Sequence, residues 1–155
     1  FDCLMLNILV RTGMRGEELM RMTYDDIDLR AATLQIHAAK GSNDRVVPLK
    51  KSVLNALNDR LKDAPLFGGV QPSAIKKRLR ISLKRILFRI LGQGYQDLSL
   101  HSLRASYALN IYSNAGHDLL LVKELLGHKK IESTMFYVNI ERMNQAKAKI
   151  LKAIG

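Results

Sequence analysis

The sequence is poor in the features that mark several large protein classes. It has one cysteine, Cys3, in 155 residues, which excludes an internal disulfide and any zinc site built from several cysteines. No run of residues approaches the ~20 apolar side chains of a membrane span. The short apolar run over residues 3–10 lacks the organisation of a signal peptide. We therefore expect a cytoplasmic protein without a membrane partner.

The glycine motifs of common enzyme classes are also absent. The sequence contains no Walker-type phosphate loop, no dinucleotide-binding G-x-G-x-x-G and no G-x-S-x-G elbow. Three neighbouring acids, Asp25, Asp26 and Asp28, lack the spaced glycine and distal glutamate of a calcium loop. We interpret them as a solvated turn, and we predict neither a metal site nor a cofactor.

Positive charge is plentiful and unevenly placed. The net charge is +11, and residues 1–75 hold 10 basic and 9 acidic side chains against 15 and 5 in residues 76–155. Residues 76–89 contain seven basic side chains and no acid. Lysine and arginine neutralise phosphates, so this stretch indicates binding to nucleic acid. A basic face that is merely solvated is the alternative interpretation.

Hydrophobic spacing predicts a single mainly helical α+β domain with one small antiparallel sheet. Extended patterns over residues 33–37 and 45–49 flank turn residues and predict a β-hairpin. Helices are expected over residues 2–10 and 17–22, after Ser52, from Ser73 through the basic stretch, from residue 99 or 100 to about 114, and from Asp118 to a stop at Gly127. In the basic helix, the apolar stripe expected to enter the core is Ile75, Leu79, Leu83, Ile86, Leu87 and Ile90.

Six residues stand in short contexts that suggest chemistry. Arg15 follows a glycine break in T-G-M-R-G-E-E-L, and Lys40 lies at the predicted hairpin turn. His101 and Arg104 are separated by one helical turn, so they share a face. Beyond the helix stop, L-G-H supplies His128, and Tyr137 follows nine residues later. By contrast, His37 and His117 are interpreted as ordinary surface residues.

This ordered set resembles the tyrosine recombinases, the phage-integrase family of DNA strand-exchange enzymes. The family pattern is T-G-x-R-x-x-E-L, a hairpin lysine, H-x-x-R, L-G-H and a tyrosine nine residues after that histidine. The resemblance implies a recombinase catalytic domain over residues 1–155, with the family's N-terminal core-binding domain expected before Phe1. It also implies double-stranded DNA as partner and self-association on DNA as a tetramer.

The chemistry that the resemblance implies fits the residue types. Planar guanidinium groups such as those of Arg15 and Arg104 match the charged oxygens of a phosphodiester transition state. Tyr137 is then the nucleophile that forms a 3′-phosphotyrosyl intermediate, and His101 and His128 donate hydrogen bonds or relay protons. Lys40 is then the general acid, although Arg45 lies nearby as a competitor for that role. Glu18 is the carboxylate that holds Arg15. The residues expected to contact DNA are Lys76, Lys77, Arg78, Arg85 and Arg89.

Two other functions stay open on the sequence alone. A type IB topoisomerase would use the same chemistry on one strand, and a basic DNA-binding domain would use none of it. An apolar stripe lies at the end of the chain and comprises Ile140, Met143, Ile150, Leu151 and Ile154. We expect it either to dock on a neighbouring copy or to pack on its own domain.

Overall fold

The computed structural model describes residues 2–39, 41–61, 71–91 and 98–139, together with Met143, Ala146 and Lys149. In chain order the elements are α1 (Asp2–Thr12), α2 (Gly16–Arg21), a 3-10 turn (Tyr24–Asp26), β1 (Ile27–Asp28), β2 (Thr33–Ile36), β3 (Arg45–Pro48), α3 (Lys51–Leu61), α4 (Pro72–Leu91), α5 (Leu100–Asn114) and α6 (Leu119–Leu126). Residues 132–139 are also helical. None of these helices has the length and hydropathy needed to span a bilayer.

The sheet has the strand order β1–β2–β3 and is antiparallel throughout. The predicted hairpin is confirmed: Leu34 on β2 pairs with Val47 on β3, and both are fully buried. Strand β1 was not predicted from the sequence, because two residues are too few to display an alternating pattern. Antiparallel pairing with β2 stabilises this short strand.

Local signals fix the two ends of α6. One oxygen of the Asp118 carboxylate accepts hydrogen bonds from the backbone N–H groups of Leu120 and Leu121, as expected of an N-cap. Gly127 ends the helix with a φ of +68°, a conformation that favours glycine. Helix α3 differs from its prediction, since it begins at Lys51 and Ser52 lies inside it.

Two apolar clusters build the interior of the described part of the chain. The first joins α1, α2, the sheet, α3 and α4, and the second joins α5, α6 and Tyr137. Helix α4 contributes Ile75, Leu79 and Leu83 to the first cluster, as the periodicity predicted. The prediction was wrong for Ile90, which is 70% exposed because it lies beyond the part of α4 that packs on the core.

The turn between α1 and α2 lies against the second cluster. Gly13 has a φ of +60°, and a Cβ atom there would clash with Cδ1 of Tyr107 on α5. Only glycine permits this backbone to approach Tyr107 so closely. The approach places Arg15, at the start of α2, beside the residues of α5 and α6.

Candidate active site

Five of the six candidate catalytic residues belong to the described part of the chain. Arg15, His101, Arg104, His128 and Tyr137 come from four separate segments, which meet where the two apolar clusters adjoin. Lys40, the candidate general acid, lies outside the described residues, between Ala39 and Gly41. Its assignment therefore stays a prediction.

Tyr137 is buried between two imidazole rings. Its side chain is only 4% exposed, and its hydroxyl lies 3.4 Å from Nε2 of His101 at the start of α5. The His128 ring stacks on the phenol with an interplanar angle of 12° and a centroid separation of 6.2 Å. The phenol oxygen consequently lies within hydrogen-bond distance of an imidazole nitrogen.

His128 is buried, and its ring has one hydrogen-bond partner among the residues that the structure describes. Its Nδ1 lies 2.8 Å from the hydroxyl of Thr134, which is fully buried on the 132–139 helix. Burial, reinforced by the charges of Arg104 and Arg15, lowers the pKa of His128 to about 4. Its imidazole is therefore neutral near pH 7.

Arg104 is among the most deeply buried side chains of the molecule, at 2% exposure. Its guanidinium donates through Nη1 to the carbonyl of Gly13 and through Nη2 to the carbonyl of Leu126, the latter at 2.7 Å. Burial and the neighbouring charges of Arg15 and Arg45 lower the pKa of Arg104 to about 10. The group stays charged at neutral pH, at a fixed position between α1 and α6.

Glu18 organises the arginines on the α2 side of the site. Its oxygens accept hydrogen bonds from Nη1 and Nη2 of Arg45 at 3.1 and 2.8 Å, while Arg15 Nη1 lies 3.5 Å from Oε1. Burial alone would raise the pKa of Glu18. The hydrogen bonds from Arg45 and from the Arg15 backbone outweigh that cost and lower the pKa to about 2.

Arg45 is the residue whose role the sequence did not reveal. The sequence suggests it only as a competitor of Lys40, yet it is 7% exposed and held in the two-pronged pair with Glu18. Its Nε also donates to the carbonyl of Leu125 at 2.8 Å. Arg45 therefore ties the hairpin to both α2 and α6, and this tie depends on contacts that are remote in sequence.

The hairpin turn also touches the L-G-H segment directly. Ser42 forms an isolated antiparallel bridge with His128, and the Asn43 N–H donates to the Gly127 carbonyl at 2.9 Å. A Cβ atom on Gly127 would lie 2.7 Å from the Asn43 carbonyl oxygen. This contact brings the residues that flank Lys40 to the edge of the site.

Two guanidinium N–H groups at this site are buried without a hydrogen-bond partner among the described residues. They belong to Arg104 Nε and Arg15 Nη1. Leaving a buried charged donor unpaired is costly, so each such group calls for an explanation, and a catalytic role or a bound ion is one. The charges are positive and the donors planar, which suits the oxygens of a phosphate.

The five α4 residues predicted to contact DNA lie on the surface and divide into two sets. Lys76 pairs with Glu17 at 3.0 Å, and Arg78 pairs with Asp2 at 2.9 Å. Lys77, Arg85 and Arg89 are exposed. The proposed DNA-binding face is thus accessible, although two of its five members also serve to attach α4 to α1 and α2.

The acidic turn is more structured than the sequence suggested. Asp26 is buried, and its carboxylate accepts a hydrogen bond from the Thr23 N–H and lies 2.8 Å from Nε2 of His37. The expectation of a solvated turn was therefore wrong for Asp26, because its side chain caps the 3-10 turn. Within the described ranges no three His, Cys, Asp or Glu side chains cluster as metal ligands.

The sequence matches the family model described as "Phage integrase family" over residues 2–143. Tyrosine recombinase XerC of Xanthomonas axonopodis pv. citri (strain 306) is 32% identical, and the match spans 94% of this chain and 49% of that protein. XerC of Roseiflexus sp. (strain RS-1) is 34% identical over the same two shares. The chain spans about half the length of these curated relatives.

Solved structures share the fold. The XerH site-specific recombinase bound to its palindromic difH substrate, in a post-cleavage complex, superposes with a TM-score of 0.72 at 26% identity, over 96% of this chain and 44% of that one. The catalytic domain of bacteriophage HP1 integrase gives 0.60 at 25% identity, over 88% and 73%. These neighbours confirm the predicted mainly helical fold with its small antiparallel sheet.

Proposed function

The chain belongs to the phage integrase family, and from that premise we propose that residues 1–155 form the catalytic domain of a site-specific DNA recombinase. Its substrate is double-stranded DNA, as in the XerH complex with difH. The observation that carries the proposal is the pair of buried guanidinium donors, Arg104 Nε and Arg15 Nη1. Neither has a hydrogen-bond partner among the described residues, and the 3.5 Å ion pair of Arg15 Nη1 with Glu18 Oε1 leaves room for a closer acceptor. A backbone phosphate supplies the acceptors that both donors need.

The reaction begins at the Tyr137 hydroxyl. Its oxygen attacks the scissile phosphorus, a P–O bond forms to tyrosine, and the bond to the 5′ oxygen breaks. The phenol proton passes to His101, whose Nε2 lies 3.4 Å away. The departing 5′ oxygen takes a proton from a general acid, for which Lys40 is the candidate, since an ammonium group can donate one. Attack by a partner strand's 5′-hydroxyl reverses these steps, so no ATP is consumed.

The arginines stabilise the charge that develops on the phosphate. Arg104 is anchored by two carbonyl groups and Arg15 by the carboxylate of Glu18. Because their positions are set before DNA arrives, they need little reorganisation as the transition state forms. The same cations replace the charge that a metal ion provides in other phosphoryl-transfer enzymes.

Binding to DNA uses the exposed basic face of α4, centred on Lys77, Arg85 and Arg89. These side chains supply contacts to backbone phosphates that do not depend on sequence. Strand exchange needs several copies of the enzyme on paired sites, so the domain self-associates on DNA, with a tetramer as the working assembly. Of the C-terminal stripe expected to mediate this, Met143 is 73% exposed, and the other four residues lie outside the described part of the chain.

A covalent-trapping experiment tests the proposal. The chain is incubated with a library of nicked duplexes of randomised sequence, in which cleavage releases a short strand and prevents religation. We expect a denaturation-resistant adduct whose DNA is attached to the peptide containing Tyr137. Tyr137→Phe removes one oxygen and should abolish the adduct, whereas Tyr24→Phe, at a half-exposed tyrosine outside the recombinase motifs, should retain it.

The possible outcomes separate the rival functions. DNA binding without any adduct would identify a non-catalytic DNA-binding domain. Adduct formation followed only by relaxation of supercoiled plasmid, with no joining of two duplexes, would identify a topoisomerase. An adduct that persists in Tyr137→Phe would assign the nucleophile to another residue.

A further inference from the structure

The contact between Thr134 and His128 is a buried polar contact of the site that the proposed chemistry leaves unused. Thr134 is fully buried and lies one helical turn before Tyr137, and its Oγ1 is 2.8 Å from Nδ1 of His128. The His128 ring in turn stacks on Tyr137. The Thr134 hydroxyl thus contacts the imidazole whose ring stacks on the proposed nucleophile.

The direction of this hydrogen bond follows from the surroundings of the hydroxyl. A threonine hydroxyl has one proton to donate and two lone pairs that accept. Within the described part of the chain, His128 Nδ1 is the one hydrogen-bond partner of Thr134 Oγ1. If Nδ1–H donated instead, the buried hydroxyl proton would have no acceptor, which is the more costly arrangement. The hydroxyl therefore donates and Nδ1 accepts.

The protonation of the ring then follows. A neutral imidazole carries one proton, on one of its two nitrogens. His128 is neutral near pH 7, because burial and the charges of Arg104 and Arg15 lower its pKa to about 4. With Nδ1 acting as acceptor, the single proton resides on Nε2. The ring offers a donor at Nε2 and has no free lone pair to act as a base.

We propose that Thr134 is a positioning residue that fixes the tautomer of His128, so that this ring presents an Nε2–H donor beside Tyr137. His128 then cannot accept the phenol proton, which leaves His101 as its acceptor. This division of labour between the two histidines rests on the proposed recombinase function. The tautomer itself does not, since it depends only on contacts within the chain.

The tautomer is measured by nitrogen NMR of the full chain, labelled with 15N in its histidine rings, at pH 7 without DNA. We expect His128 Nε2 to carry a directly bonded proton and Nδ1 to resonate as an unprotonated, hydrogen-bonded nitrogen. In Thr134→Val the Nδ1 signal should move away from the hydrogen-bonded position, and in Thr134→Ser it should stay. A proton found on Nδ1 in the unaltered chain overturns the proposal.

Cleavage kinetics supply a second, independent readout. Thr134→Val, which keeps the shape and removes the hydroxyl, should slow single-turnover cleavage about tenfold, in line with the loss of one hydrogen bond. Thr134→Ser should stay within about twofold. Ser133→Ala removes an exposed hydroxyl from the same helix and serves as the matched control.

Each other outcome is decisive. An unchanged rate in Thr134→Val overturns the positioning role, and so does an equal reduction in the Val and Ser variants, which would indicate packing rather than the hydroxyl. If the unaltered chain forms no adduct at all, the proposed function fails, while the NMR result still decides the tautomer.

Discussion

Two regions of the molecule are rich in arginine, and they hold their charge in opposite ways. Around Glu18, the guanidinium groups of Arg45 and Arg104 are almost completely buried and bonded to carboxylate and carbonyl oxygens. On α4, Arg85 and Arg89 project from the surface. A buried cation is fixed in direction and barely screened, whereas an exposed one is mobile and surrounded by counterions.

This difference indicates that the planar shape of the guanidinium group matters in the buried region, whereas the positive charge alone matters on α4. A buried guanidinium bonds to several oxygens at once through its planar fork, and lysine cannot reproduce that fork. An exposed cation near a phosphate contributes chiefly through counterion release, for which lysine serves as well. Substitutions in the two regions therefore test this contrast.

Replacing a buried arginine by lysine should be far more damaging than the same change on α4. Arg104→Lys keeps the charge but loses the fork, and the single-turnover cleavage rate should fall on the order of 10²–10³-fold, as when a preorganised donor is removed. Arg85→Lys is the matched control and should leave the rate unchanged. Equal reductions in both variants would erase the contrast between the regions.

The buried carboxylate should govern stability in acid. Because folding lowers the pKa of Glu18 from 4.5 to about 2, the unfolded chain takes up this proton first as pH falls. The resulting stabilisation is complete above pH 4.5 and disappears as pH falls towards 2. Its size is about 3 kcal/mol, from 1.36 kcal/mol per pKa unit.

Denaturant unfolding of Glu18→Gln between about pH 7 and about pH 3 measures this contribution. The variant should be less stable at neutral pH and should lose less stability on acidification than the unaltered chain. Glu17→Gln is the control at the next residue, since the Glu17 side chain is 57% exposed. If both variants respond to acid alike, the Arg45–Glu18 pair is not the source.

On α4, neutralisation should change salt dependence and leave the chemistry intact. The triple change of Lys77, Arg85 and Arg89 to Gln should flatten the plot of log K against log salt concentration, by up to about one unit for each phosphate that is no longer neutralised. The cleavage rate at saturating DNA should not change. An unaltered slope would mean that this face does not meet DNA.

The smallest effect is expected at Arg78. Its Nε pairs with Asp2 at 2.9 Å, so the carboxylate already offsets part of its charge. Arg78→Gln should therefore reduce the salt slope less than Arg85→Gln does, when both are measured by the same titration. A larger reduction for Arg78 would show that the pair with Asp2 opens when DNA binds.

The sequence predicted the elements whose signals lie within a few residues of each other. The Asp118 cap, the stop at Gly127 and the hairpin depend on local chemistry, and each is confirmed. The exposure of Ile90 could not be predicted from periodicity, because a helical stripe does not reveal where the neighbouring helices end.

The candidate active site divides in the same way. Short motifs identified the reactive candidates, but nothing near Arg45 in the sequence points to Glu18 or to the Leu125 carbonyl, which lie 27 and 80 residues away. The contact of Thr134 with His128 was equally hidden, since a helical threonine is common and only its burial gives it meaning. Long-range partners of this kind appear only when the chain is folded.

The two carbonyl bonds of Arg104 have a consequence for how activity appears during folding. One acceptor, Gly13, belongs to the turn after α1, and the other, Leu126, ends α6, so the guanidinium is anchored only after the two apolar clusters have docked. A half-folded chain that already contains Tyr137 therefore lacks the ordered guanidinium group that we propose as the phosphate clamp. On the proposed function, competence to cleave DNA arrives together with the finished tertiary structure and not with the nucleophile alone.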